Sequence, residues 1–171
     1  MLHLKQKFKL ENGYYREYKN SDFFEIFNLF LILQDRIKTK YFDERIGKTD
    51  FFQLSMLKNK FSNMINSCDY IYVAIDRDRD KIFGFGAYRD LKDVVILDFM
   101  FKNEEYIFNA EMKRIIIDSM KKFNKPVRVY LGGREKFDSY VKFIMRTFKH
   151  KYIGKDDFGR VILEFDLTQY R

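Results

Sequence analysis

The sequence predicts a mixed α/β fold, an α+β mixed sheet that is antiparallel at its front, gains parallel pairing further back and carries helices on both faces. Three observations carry this expectation. Residues 70–101 hold three apolar runs separated by short polar turns, the pattern of an antiparallel meander. From residue 109 onward helical and strand-like patterns alternate, which implies a crossover connection. Residues 94–101 (Val-Val-Ile-Leu-Asp-Phe-Met-Phe) are nearly all apolar, as a central strand covered on both faces requires.

Residues 14–18 read as the first strand, and 5–10 as its partner through an Asn12-Gly13 hairpin turn. Asp22 opens a helix, with Glu25 spaced for a capping box. Phe23, Phe24, Ile26, Phe27, Leu29, Phe30 and Ile32 make that helix apolar nearly all round, so it should be deeply buried or covered by a partner. Asp50 caps a second helix, whose Leu54, Leu57, Phe61, Met64 and Ile65 share one face. Strands over 70–75, 81–88 and 94–101 follow, the first two joined by the charged turn Asp-Arg-Asp-Arg-Asp at 76–80. Asn109 caps a third helix bearing Met112, Ile115, Ile116, Met120 and Phe123. Residues 126–131 form a strand, and Phe137, Tyr140, Val141, Ile144, Met145 and Phe148 mark a fourth helix. Residues 160–167 close the sheet. No repeat, low-complexity tract or linker interrupts this order, which predicts one domain over residues 1–171.

With 171 residues, 46% apolar and 19% aromatic, the chain can bury a sizeable core. No apolar run approaches the roughly 20 residues of a membrane span. The N-terminal stretch lacks the apolar block of a secretory signal, and Cys68 is the single cysteine, so a cytoplasmic setting is expected. The net charge of +8 is concentrated: residues 102–155 carry 14 Lys and Arg against 6 Asp and Glu. Such a stretch is either a solvated Lys-rich surface or an attractor for nucleic acid, an acidic protein or an anionic cofactor. Lys113, Arg114, Lys121, Lys122, Arg128, Arg134, Lys142, Arg146, Lys149 and Lys151 supply most of it. No aromatic–basic RNA-binding motif accompanies them, so a protein partner ranks ahead of nucleic acid through residues 113–151.

His3 and His150 are the only histidines, which argues against a zinc site or a His-dependent triad. Asp76, Asp78 and Asp80 alternate like the start of a calcium loop, but Lys81 and Ala87 stand where that loop needs Gly and a bidentate Glu. No metal is expected. Gly132-Gly133 beside Arg134 suits either an anion cradle or a tight loop before a helix. Cys68 has no cationic neighbour in sequence to activate it.

The element order resembles that of the GNAT acetyltransferases from about residue 14 to residue 167. Ile82-Phe83-Gly84-Phe85-Gly86 looks like the family's strand after the hairpin turn, residues 94–101 like the strand beside which acetyl-CoA lies, and Tyr152-Ile153-Gly154 like the exit from the late helix. The resemblance implies the GNAT-like acyl-CoA N-acyltransferase fold. In an active member it would place acetyl-CoA against Phe99, Phe101, Asn109 and Ala110. It would seek a general base at Asp98 and a proton donor at Tyr140, each of which also reads as a structural residue, a bonded acid or a core tyrosine.

The family's cofactor loop, Gln/Arg-x-x-Gly-x-Gly/Ala, lets glycine amides approach the pyrophosphate at a helix N-terminus. Here the matching stretch is Glu105-Tyr106-Ile107-Phe108-Asn109-Ala110, and only Ala110 fits. Glu105 repels phosphate, Phe108 fills a glycine position, and Phe143 falls where the family often places its tyrosine. These departures predict that no cofactor binds, with acetyl-CoA the ligand if the chain is active. Similar glycine-poor loops occur in GNAT-like proteins encoded by bacteriophages, including small internal virion proteins. That similarity implies a catalytically degenerate binding or assembly component with protein partners, in the cytoplasm of a bacterial host cell or incorporated in a phage virion. The alternative is an active N-acetyltransferase with an atypical loop. A cleft open beside Phe99 and Phe101 would favour the enzyme; one filled by Tyr106 or Phe108 would oppose it.

Overall fold

The computed structural model describes residues 7–41, 51–132 and 138–170, with the side chains of 33–41, 51–53 and 138–141 outside that description. The expected cap at Asp50, the segment Gly133-Arg134 and the side chains of Phe137, Tyr140 and Val141 therefore lie outside the described residues.

In chain order the elements are β1 (Phe8–Lys9), β2 (Gly13–Glu17), α1 (Phe23–Tyr41), α2 (Phe51–Asn66), β3 (Tyr70–Asp76), β4 (Lys81–Asp90), β5 (Val95–Lys102), β6 (Tyr106–Ile107), α3 (Ala110–Lys121), β7 (Val127–Leu131), α4 (Asp138–Thr147), β8 (His150–Lys155) and β9 (Val161–Phe165). Seven strands form a mixed sheet in the order β2-β3-β4-β5-β7-β9-β8. Its pairs are antiparallel except β5 with β7, which α3 connects by a crossover.

Each face of the sheet is covered by its own apolar cluster. On one face Ile26, Phe27 and Phe30 of α1 and Phe61 and Ile65 of α2 meet Val73, Phe85 and Ala87. On the other, Ile117 and Met120 of α3 and Ile144 of α4 meet Tyr88, Leu97, Val129 and Leu163. A smaller cluster joins Leu10, Phe83, Tyr106, Met112 and Ile115.

The apolar girdle of α1 is only half used. Ile26 and Phe30 are buried, whereas Phe24 is 67% and Ile32 49% exposed. The Lys58 ammonium lies 5.4 Å from the Phe24 ring centre and shields it in part. The capping box is also replaced. Asp22 accepts the Lys19 amide and a two-pronged Arg16 ion pair at 2.8 Å, and Glu25 reaches across to the Ile82 amide at 2.9 Å. Asp22 thus closes the short 3-10 turn before α1 from within, while a tertiary partner has taken Glu25.

The Asn12-Gly13 hairpin does not form. Phe8–Lys9 pairs in parallel with Tyr106–Ile107, far along the chain, and Gly13 opens β2 opposite Asp76. Gly13 lets the ends of two side chains lie close: a Cβ there would stand 2.7 Å from the Ile115 terminal methyl and 2.8 Å from a Leu10 methyl, both of which would have to shift. β8 is an additional strand that the sequence pattern did not resolve from the helix exit.

Gly84 lets β4 and β5 pack against each other. A Cβ at Gly84 would stand 2.7 Å from the Phe101 carbonyl oxygen, a backbone atom that cannot step aside. Gly84→Ala is expected to lower unfolding stability by about 1–3 kcal/mol, as overpacking does. An unchanged midpoint in urea would show that the strands part without cost.

Candidate functional site

The site begins where two neighbouring strands separate. β5 pairs with β7 only through Val95, Ile96 and Leu97, and then continues to Lys102 held by β4 alone. A wedge therefore opens between β5 and β7. The β4–β5 register slips between Ala87 and Tyr88, so Asp98 is the extra residue of a bulge. The bulge resets which side chains face which way. Val95 and Leu97 pack with the α3 and α4 cluster; beyond it Phe99 and Phe101 pack with the α1 and α2 cluster. Met100 and Lys102 border a cavity of about 240 Å³ between the sheet and α3.

Gly84, Gly86 and Tyr88 of β4 also line this cavity, with Ile115, Ile116 and Ser119 of α3 opposite. Tyr88 is 2% exposed, and its hydroxyl lies 2.9 Å from Ser119 Oγ. Tyr15 and Tyr72 add two further phenols to the wall, and burial pushes both hydroxyls above their ordinary pKa. They stay protonated at neutral pH and are poorer acids than free tyrosine. At one end Phe108 meets Phe143 of α4 edge to face, ring centres 4.9 Å apart and planes at 87°. That pair joins the segment before α3 to α4 across the side of the wedge.

The segment leading into α3 is tied down by backbone and buried groups. The Asn103 side chain accepts the Glu105 amide at 3.0 Å, and the Asn103 carbonyl accepts the Tyr106 amide at 3.1 Å. Tyr106 points away from the cavity: it is fully buried and donates its hydroxyl to Asp76 at 2.7 Å. Burial first, then the Asp76 carboxylate, raises the Tyr106 pKa well above the tyrosine range. Asn109 caps α3 by accepting the Met112 amide at 3.1 Å, and its amide group donates to the Leu10 carbonyl at 2.8 Å. The amides of Glu105, Tyr106 and Met112 are thus already bonded within the protein. Glu111, in the first turn, accepts from Gly13 and Arg114, and the Arg114 guanidinium holds its carboxyl below the usual range. Around the start of α3 the charges come in pairs, Glu111 with Arg114 and the half-exposed Glu105 with Lys81 at 3.8 Å.

The residues expected from sequence separate in space. Phe99 lies on the α1 and α2 side, stacked on Phe101 at 5.6 Å, while Asn109 and Ala110 form the cap and first residue of α3. Asp98 sits at the bulge, 2.7 Å from Arg89 Nε and 3.7 Å from Cys68 Sγ, and does not line the cavity. Tyr140 lies within α4, with its side chain outside the described residues. Burial, then the Asp98 charge, pushes the Cys68 thiol up to about 11, which leaves it protonated and unreactive at neutral pH. Asp76, read as the start of a possible calcium loop, is spent on Tyr106, Arg79 and the amides of Asp78 and Arg79. Sequence reasoning missed Tyr88, Ser119 and Gly86; two glycines on one face of a strand were the available signal.

The basic stretch is largely paired. Arg114 engages Glu111 and Asp118, Lys125 engages Asp90, and Arg128 and Lys151 share Glu164. Lys121 donates to the Tyr170 carbonyl, and the Lys122 ammonium lies 5.5 Å from the Tyr72 ring centre. Lys142, Arg146 and Lys149 remain exposed on and just after α4.

No family model matches the sequence, and no curated protein does. Solved structures do match. The PaiA N-acetyltransferase of Thermoplasma acidophilum, determined in complex with coenzyme A, is 15% identical with a TM-score of 0.61 over 90% of this chain and 98% of that one. A GNAT-family acetyltransferase of Staphylococcus aureus is 21% identical with a TM-score of 0.58, again covering 90% and 98%. Apo FdhC, a nucleotide-linked sugar GNAT, is 16% identical with a TM-score of 0.61, covering 96% and 92%.

The chain has the GNAT fold. The splayed β5 and β7 belong to that fold, and residues 103–109 lead from β5 into α3. Among the described residues no helix is long and apolar enough to cross a membrane.

Proposed function

We propose that the chain is a catalytically degenerate GNAT-fold protein that acts as a binding or assembly component and does not hold acetyl-CoA. One observation carries this reading. Phe108 takes the place of the loop glycine, and its ring packs on Phe143, where a pyrophosphate would need open backbone. Glu105 and Glu111 flank the same segment and draw Lys81 and Arg114 into ion pairs at 3.8 and 2.5 Å, so those cations are already engaged and less available to a phosphate at the start of α3. The PaiA acetyltransferase carries coenzyme A; in this chain the matching loop instead spends its groups on Asn103, Asp76 and the β1 strand. A protein partner fits the exposed residues of α4 and β8, where Lys142, Met145, Arg146 and Tyr152 face outward. The phage virion setting is supported by the sequence resemblance.

The second reading is an active N-acetyltransferase, and it is favoured by the cavity of about 240 Å³ that stays open beside the wedge. Thermal unfolding with acetyl-CoA separates the two. A ligand that binds only the folded state stabilises it by about 2.7 kcal/mol at 100 times its dissociation constant. For a chain of this size that is about 5–11 °C in Tm. The expected result is no shift at millimolar acetyl-CoA. A clear shift that is lost in Ala110→Glu would establish cofactor binding and overturn the proposal.

A further inference from the structure

The cavity under α3 follows from β4 itself. Gly84 and Gly86 present no side chain on the face that looks toward α3, while Phe85 and Ala87 fill the opposite face. At Gly84 the Phe101 carbonyl oxygen stands 2.7 Å from where a Cβ would be, so the missing volume is chiefly that of Gly86, whose Cβ would meet only Tyr88, from 3.6 Å. Here about 240 Å³ remains.

Its chemistry is narrow. Met100, Ile115, Ile116, Phe108 and Phe143 supply hydrocarbon and aromatic surface. Its polar groups are the hydroxyls of Tyr15, Tyr72, Tyr88 and Ser119 and the exposed Lys102 ammonium. Tyr15 donates to the Asp118 carbonyl and Lys102 to the Tyr106 carbonyl, and the fully buried polar contact is Tyr88 with Ser119. Ser119 Oγ donates to the Ile116 carbonyl at 2.7 Å, so Tyr88 is the donor in the 2.9 Å bond between the two hydroxyls. That pair is satisfied within the protein and asks no hydrogen bond of a guest. An anionic guest would have to compete for Lys102, whose ammonium already donates to the Tyr106 carbonyl at 2.6 Å. A cationic guest would lose its hydration beside that ammonium, and a pantetheine arm would bury its amides mostly against Phe and Ile. Water also needs two to four polar partners to be held, whereas an apolar cavity of about 150 Å³ stays dry and admits benzene.

We infer that this cavity is a binding site for a small, neutral, largely hydrocarbon molecule about the size of a substituted benzene ring. The inference rests on the reading above in one respect, that the cavity is not reserved for a pantetheine arm.

The test uses the full chain and toluene as the probe, followed by thermal unfolding and by calorimetry. Saturable binding is expected, with a rise of about 3–6 °C in Tm at ten times the dissociation constant. Gly86→Val should abolish it. A Cβ at Gly86 meets only the Tyr88 ring, at 3.6 Å, so the branched side chain enters the cavity without striking backbone. Without ligand this variant should melt at or above the wild-type temperature. Ile116→Phe fills the same space from α3 and guards against a folding defect in the first variant.

Toluene binding that both fillings remove supports the site. No binding to the wild type, or equal binding to both filled variants, overturns it. Acetyl-CoA is run in parallel on the same protein. Toluene binding without an acetyl-CoA shift upholds the site and the proposed function together. Toluene binding that acetyl-CoA displaces upholds the cavity as an apolar site and overturns the proposed function. An acetyl-CoA shift without toluene binding overturns both.

Discussion

Asp76→Ala is expected to lower unfolding stability by about 3–5 kcal/mol, the range for removing one partner of a buried charged network. Asp76 is 0% exposed, at the end of β3, and four donors converge on it. Tyr106 donates at 2.7 Å, Arg79 Nη1 at 2.8 Å, and the amides of Asp78 and Arg79 at 3.0 and 3.3 Å. Alanine leaves the Tyr106 hydroxyl buried without its acceptor, which costs more than the bond itself contributed. It also releases a buried polar tie between the β3–β4 turn and the segment before α3. Chemical denaturation of the variant measures the loss; a change below about 1 kcal/mol would mean that the network is not part of the folded structure.

The same carboxyl sets an acid limit. Burial pushes its pKa up, but Tyr106, Arg79 and the two amides outweigh burial and hold it below the usual carboxylate range. A depressed folded-state value means that the contribution is complete above the unfolded pKa of about 3.9 and is lost as pH falls below it. Asp76→Asn should therefore flatten stability against pH in that acid window while being less stable than wild type at neutral pH. Equal slopes for the two proteins as the pH falls below about 4 would sink the assignment.

Phe61→Ala is the second large effect, expected at about 3–5 kcal/mol, the range for large-to-small changes in a packed core. Phe61 is 0% exposed on α2 and stands at the centre of an aromatic group. Its ring centre lies 4.7 Å from Phe30, 5.6 Å from Phe23, 5.6 Å from Phe27 and 6.0 Å from Phe85. These rings pin α1 and α2 to β4, so truncation leaves a void shared by three elements. Phe24, one position from Phe23 but 67% exposed, provides the contrast. Phe24→Ala should change stability by about 0.5 kcal/mol or less, as surface changes do. Similar losses at both positions would mean that α2 does not pack as described.

β3, β4, β5, α3 and β7 were legible because each rule that marks them acts locally, whereas the short β6 between them lies in a stretch whose pattern reads as loop. The three strands of the meander, the Asn109 cap and the stripe of α3 depend on residues within a turn or two of one another. Features set by distant partners were not legible. Phe8–Lys9 chose Tyr106–Ile107 over its neighbour β2, and Glu25 chose the Ile82 amide over its own helix end. β8 was hidden because His150–Lys155 is largely exposed and carries no apolar alternation. At the site, the departure of Phe108 and Glu105 from the glycine pattern could be read in the sequence, whereas Phe108's contact with Phe143 required the fold. The cavity follows the same division: its glycines were visible in sequence, but that nothing fills the space above them depends on where α3 crosses.

The strand order has a consequence for how the sheet is completed. β8 precedes β9 in the chain yet lies outside it, with β9 as its partner in the sheet. During synthesis, His150–Lys155 emerges with nothing to dock on until Val161–Phe165 follows. The far edge of the sheet is therefore laid down as a pair in one step. A chain interrupted between residues 155 and 161 would forfeit two strands and would leave β7, a buried strand, as a bare rim open to association with other chains.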